Sequence, residues 1–342
     1  MKTSGTEEIC RLLGEDAFIT DGHEDIAWHM LAHKRSFSEA EDAKDAMVTL
    51  EGLRGGGVLL SIASLFVQHD LNKNERQEIL AKQFRLYDEI CEKYEGVRKI
   101  AFADELVKHL EAWRCTQKNW GFCVMMEGAD LLESPEDLAR IWESGVRVMS
   151  LTWNEENQWA GGAKSDGRLT TKGREFLTEM ERIGFILDVS HLNEKSFWDV
   201  MRVWDGQVVA THSNCHRICP HPRNLKDEQI KELRDREAVV GILLFNGFLN
   251  PDWTEGDKRL SMDAVCAHAY HLLEILGESG VGLGSDFDGG IEPADTPCGL
   301  DRVSDLWKVA EALLEAGIPK ADVKGIMGEN WVKFLASALP KS

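Results

Sequence analysis

No stretch of this 342-residue sequence is long and apolar enough to cross a membrane. The opening Met1-Lys2-Thr3-Ser4-Gly5-Thr6-Glu7-Glu8 is polar and leads into no apolar core of signal length. The expectation is a cytoplasmic protein with no membrane anchor. Basic residues are scarce, 39 against 59 acidic ones, for a formal net charge of -20. Binding to phosphate backbones needs basic patches and none stands out, which argues against nucleic acid as a partner. A Pro/Ser-rich linker and an internal repeat are both absent, so one domain spanning 1–342 is expected. The eight cysteines are spread too widely for a disulfide framework, and reduced thiols are the default. Their one cluster, Cys215-His216-x-x-Cys219-x-His221, matches no standard finger spacing and is not read as a structural zinc site.

What is present is an ordinary globular composition, 43% hydrophobic and 29% charged. Eight short apolar or β-branched runs recur along it, at about 16–22, 56–66, 121–127, 146–152, 184–190, 208–212, 239–245 and 280–285. Several begin with glycine, as in Gly184-Phe185-Ile186-Leu187 and Gly241-Ile242-Leu243-Leu244. They lack polar alternation, as parallel strands covered on both faces should. Helical segments fill the gaps. Ser134-Pro135-Glu136-Asp137 predicts one helix start, with Ser134 as N-cap, and Thr170-Thr171 and Asn193-Glu194 predict two more. The longest insertion follows the second strand, where 70–118 reads mainly as two helices. Eight β–α alternations fit a closed (β/α)8 barrel or a doubly wound sheet.

Candidate metal ligands decide between the two. Ala17-Phe18-Ile19-Thr20 runs into Asp21-Gly22-His23-Glu24-Asp25, and Phe122-Cys123-Val124-Met125-Met126 into Glu127. Phe185–Ser190 runs into His191, and Val208–Thr211 into His212. Ligands past the first, third, fifth and sixth strands converge readily in a barrel, which gathers its chemistry at one end, and rarely in an open sheet. His23 and Asp25, two apart on an extended strand end, point the same way. Glu127 is costly to bury unless paired, and its two oxygens suit it either to a salt bridge or to a bridge between two metals. Imidazole and carboxylate without thiolate suit zinc, with Mn, Co or Fe as alternatives. Asp286, in Gly284-Ser285-Asp286-Phe287-Asp288-Gly289, could handle a proton, a role that Asp288 could fill instead. Arg223, eleven residues past His212, could clamp a carboxylate with two hydrogen bonds.

Taken together, Asp21-Gly22-His23-x-Asp25, Glu127-Gly128, Asp188-Val189-Ser190-His191, Thr211-His212-Ser213, Pro222-Arg223-Asn224 and Gly284–Gly289 resemble the membrane (renal-type) dipeptidase family, M19, a branch of the amidohydrolase-like barrels. The likeness runs from about 17 to 335. It implies two zinc ions: His23 and Asp25 on one, His191 and His212 on the other, Glu127 between them. It further implies Arg223 at the substrate carboxylate, Asp286 as the proton carrier, a dipeptide substrate often with a C-terminal D-residue, and a homodimer. The implied chemistry is attack by a water whose pKa the two ions lower towards ~7. One segment departs from the family pattern. Where the family often has Leu-Thr-His, this chain has Leu151-Thr152-Trp153-Asn154. An indole can donate one hydrogen bond and accept none, so Trp153 or Asn154 must contact substrate differently, in a more apolar pocket. The alternatives are another amidohydrolase reaction, such as N-acyl-amino-acid deacylation, or a barrel that serves only as a scaffold.

Overall fold

The protein is described from a computed structural model covering residues 4–38 and 46–342. Nine strands form among the described residues, β1 (Ile19–Glu24), β2 (Val58–Leu65), β3 (Val97–Lys99), β4 (Trp120–Met126), β5 (Val146–Ser150), β6 (Ile186–Asp188), β7 (Val208–Val209), β8 (Val240–Ile242) and β9 (Val281–Leu283). All pair in parallel, in the order β7-β6-β5-β4-β2-β1-β9-β8. A bridge between Ala210 and Val240 joins the two outer strands and closes the ring. The architecture is therefore the expected (β/α)8 barrel. Each of the eight predicted runs overlaps one of its strands.

The ninth strand, β3, was not anticipated. It lies in the insertion, between helices Lys73–Lys93 and Ala103–Thr116, and pairs only with the first half of β4. The second half of β4 pairs with β5, from Val124 onward. Thus β3 fills the gap where β4 begins before its barrel neighbour does.

Helix boundaries follow the local chemistry. Thr170 and Asn193 cap their helices by accepting the N–H groups of Gly173 and Ser196. The glycine before β6 ends a helix: Gly184 turns left-handed (φ 104°) and its N–H closes onto Met180 O. One expected start was wrong. The helix placed at Ser134 begins at Asp137, because the Asp137 carboxylate accepts the N–H groups of Glu133 and Ser134 and holds them in a turn ahead of it.

Two apolar layers hold the barrel. One lies between strands and surrounding helices. The other joins inward residues Ile62, Met125, Val148, Ile186 and Val209 to Trp331, Phe334 and Leu335 of the C-terminal helix Asn330–Ala338. Trp331 donates its indole N–H to Leu283 O (2.7 Å), against the open faces of Gly22 and Gly282. That helix fills the interior from below, leaving the strand C-termini as the open, site-bearing end. No helix among the described residues is long and apolar enough to cross a membrane.

Candidate metal centre and substrate cavity

Because the strands are parallel and in near register, the residues just past their ends share one level. Met126 pairs with Leu65 and Met149, and Asp188 with Ser150 and Val209. Glu127 follows Met126 directly, His191 and His212 stand just beyond Asp188 and Val209, and the three side chains meet. Glu127 Oε1 lies 2.9 Å from His191 Nε2, 3.4 Å from His212 Nε2 and 3.5 Å from His23 Nε2. Asp25 Oδ2 is 3.3 Å and Asp286 Oδ1 3.7 Å from the same His23 nitrogen. His23, His212 and Asp286 form one triad, and two more share Glu127: His23, Asp25 and Glu127, and Glu127, His191 and His212. All five residues of the two triads that share Glu127 are buried.

The surroundings fix which ring nitrogen faces inward. His191 Nδ1 donates to Asn154 Oδ1 (3.1 Å). Thr211 Oγ1 gives its proton to Asp188 Oδ2 (2.7 Å) and so is left to accept from His212 Nδ1 (2.8 Å). Asp188 is itself held by the N–H groups of Ser190 and Thr211. Ser64 Oγ donates to Asp25 Oδ1. Both inward Nε2 atoms of His191 and His212 therefore carry lone pairs, yet they stand 2.9 Å apart. His23 Nε2 is fully buried with no hydrogen-bond partner. Lone pairs and carboxylates packed this way repel unless a cation lies among them, so these residues fit a metal centre.

The titration of the groups carries the same message. Burial holds Glu127 well above the usual carboxylate range. Burial holds His191 well below the usual imidazole value, with the Arg223 charge adding to it, and His212 likewise, with His23 adding to it. At His23, burial is outweighed by the Glu127 and Asp25 carboxylates, which push it up to about 10. Without a cation, these buried donors are pushed towards their neutral forms, His23 excepted.

Asp286 and Asp288 are clearly separated. Asp286 lines the cavity, and burial pushes its carboxyl up to about 7. Asp288 is turned away: it pairs with Arg35 and accepts the N–H groups of Met47 and Val48. Of the two candidates for proton transfer, only Asp286 faces the donors.

The cavity above the centre holds about 450 Å³. Asp25, Glu127 and Asp286 belong to its polar lining, and Trp28, Phe66, Trp153, Phe245 and Phe248 supply apolar wall. Arg223 lines it too, but is also structural. Its Nη1 donates to Ser190 O and its Nη2 to His212 O (3.1 Å), tying together the strand ends that carry the two histidines. Trp153 packs on Phe66 and His69. Asn154, expected at the substrate, spends its oxygen on His191 while still lining the cavity. Sequence reasoning assigned no role to Ser64, Asp188 or Thr211; the one hint was that Asp188 and Thr211 sit inside the quoted Asp-Val-Ser-His and Thr-His segments. The Cys215–His221 cluster forms no metal site among the described residues: Cys215 Sγ turns to His268 O and Cys219 Sγ to Gly247 O.

A (β/α)8 barrel with imidazole and carboxylate donors at its strand ends has the build of a metal-dependent hydrolase. The chain belongs to the membrane dipeptidase family, peptidase family M19, whose model matches residues 7–339. The dipeptidase aclJ of Aspergillus oryzae is 28% identical over 337 residues, 93% of this chain and 77% of its own length. The crystal structure of a metallopeptidase described as dipeptidase AC aligns with a TM-score of 0.84 at 26% identity, covering 95% of this chain and 99% of its own. A metallopeptidase from Rhodobacter sphaeroides, liganded with a phosphinate mimic of the dipeptide L-Ala-D-Ala, also gives 0.84, at 25% identity over 94% and 99%. This chain is accordingly an enzyme of the metallo-dipeptidase class.

Proposed function

We propose that this protein hydrolyses the peptide bond of dipeptides, those with a C-terminal D-residue included, with two zinc ions bound at the strand ends. The observation that carries the reading is the convergence of three imidazoles on Glu127, two of them lone pair to lone pair at 2.9 Å. His23 and Asp25 would hold one ion, His191 and His212 the other, and Glu127 both. Bound there, the ions supply polarisation of the scissile carbonyl and a more acidic water. Asp286, half-buried with its carboxyl pushed up to about 7, takes the proton of the attacking water and returns it to the leaving amine. Arg223 offers its remaining N–H groups to the free carboxylate of the substrate. Trp153 and its aromatic neighbours exclude water from the side chains. The ligand of the Rhodobacter relative supports including D-residues.

The test is a panel of L-Xaa-L-Yaa and L-Xaa-D-Yaa dipeptides with N-acetyl amino acids alongside, given to zinc-loaded protein. Dipeptide cleavage should be abolished by chelator and by Glu127→Ala. Asp286→Asn should lower kcat by about 10²–10⁴ with little change in KM. Acetate release with intact dipeptides would move the enzyme to N-acyl hydrolysis and sink the reading.

A further inference from the structure

The cavity has a second cation that the proposed chemistry does not use. Lys164 lines it, on the loop 161–167. Its ammonium sits over the Trp153 ring, 5.8 Å from the centroid, and its charge bears on His191 and His221. No carboxylate among the described residues pairs with it, whereas Lys73, Lys82, Lys99, Lys195 and Lys308 each have one.

The position of Lys164 is built. Its N–H donates to Asn154 O (2.7 Å), beside Trp153. Gly162 bridges to Leu192, next to His191. A Cβ at Gly162 would lie 2.1 Å from Trp153 O, so the loop closes onto the segment that carries the indole with no room to spare. The lysine and its aromatic shelf thus hold a set relation to His191.

The cavity is thus lined by charge of both signs, Asp25, Glu127 and Asp286 together with Arg223 and Lys164. Arg223 is buried, whereas Lys164 is exposed at the rim. A dipeptide held at Arg223 by its α-carboxylate would meet the Lys164 ammonium with a C-terminal side chain turned toward the rim. We propose that Lys164 is a specificity-determining residue that selects dipeptides with an acidic C-terminal side chain, Asp or Glu. The inference rests on the dipeptidase reading above.

The experiment compares kcat/KM for Ala-Glu with that for its neutral isostere Ala-Gln, in wild type, Lys164→Met, Lys164→Arg and Lys164→Glu. Wild type should favour Ala-Glu by about fivefold, chiefly through KM, and the preference should shrink with salt. Lys164→Met should bring the ratio to near one, and Lys164→Arg should keep it. Lys164→Glu should reverse it and raise the relative turnover of Ala-Lys, a gain that loss of structure would not produce. Hydrolysis of both dipeptides with a wild-type ratio near one, or a ratio unmoved in Lys164→Met, overturns this proposal alone. Failure to hydrolyse any dipeptide overturns it together with the reading beneath it.

Discussion

At the scale of single residues, the centre depends on which nitrogen of each imidazole keeps its lone pair. For His212 that choice is made by Asp188 acting through Thr211, and for His191 by the Asn154 amide oxygen. Groups that fix the tautomer of a metal-ligating histidine typically contribute about 10–100-fold to metal affinity. Asn154→Ala should therefore weaken metal retention by about that factor in competition with a chromophoric chelator. Asn154→Asp, which keeps the accepting oxygen, should recover most of it. Equal affinity in wild type and Asn154→Ala would remove Asn154 from that role. This residue also marks the limit of what could be read from sequence. The proposed ligands were visible because each follows an apolar run that has no other reason to end in a buried polar group. Asn154 was visible only as a departure from a family pattern, and its bond to His191 joins residues 37 apart. Such partners come from neighbouring strand ends, and strand adjacency is a property of the closed barrel rather than of any local stretch.

Among the elements, the strands were legible and their company less so. Long apolar runs identify the barrel strands whatever surrounds them. Val97–Lys99 has three residues and only Val97 buried, so nothing in it distinguishes a strand from a loop until β4 offers an unpaired edge. The loop after β9 shows the converse, a segment whose conformation is set by its contacts. Asp286 and Asp288 both adopt left-handed backbone (φ 64° and 65°), which costs a non-glycine residue free energy. Asp286 N–H donates to His23 O, Ser285 N–H to Asp21 Oδ1, and Phe287 O accepts from Asp25 N–H, so the strained turn is over-determined by β1. Gly289 completes it. A Cβ there would lie 2.6 Å from Asp25 Oδ2 and 2.7 Å from Asp286 Oδ1, pushing on both carboxylates at once. Misplacement of reacting groups by about 1 Å costs about 10²-fold. Gly289→Ala should thus fold with a thermal midpoint close to wild type yet lose about 10²-fold in kcat/KM. Wild-type kinetics in a folded Gly289→Ala protein would mean that the carboxylates are not held where the structure has them.

The whole molecule is tied together by a buried imidazole remote from the metal centre. His268, on helix Asp263–Leu276, accepts the Cys215 N–H at Nδ1 (3.0 Å) and donates from Nε2 to Leu249 O (3.0 Å). It joins the outer helix layer to the loop that carries Arg223 and to the segment that carries Phe248, both of which wall the cavity. Only the neutral ring can accept at Nδ1, and burial pushes the His268 pKa down to about 4. In the unfolded chain the same group titrates near 6.5. Between those values the unfolded chain binds a proton that the folded one refuses, so stability falls as pH falls through this window. The contribution is complete above about 6.5, declines on acidification and levels off below about 4, a total of about 3 kcal/mol. His268→Asn keeps an acceptor for the Cys215 N–H and removes the titration. Every other group titrates in both proteins, so the difference in unfolding free energy between wild type and His268→Asn isolates this one. In urea titrations that difference should favour wild type most at pH 7 and shrink by up to about 3 kcal/mol on going to pH 4. A difference that stays constant across the range would show that His268 titrates alike in the folded and unfolded chain. The fold would then owe its acid sensitivity to the carboxylate and imidazole cluster at the strand ends instead.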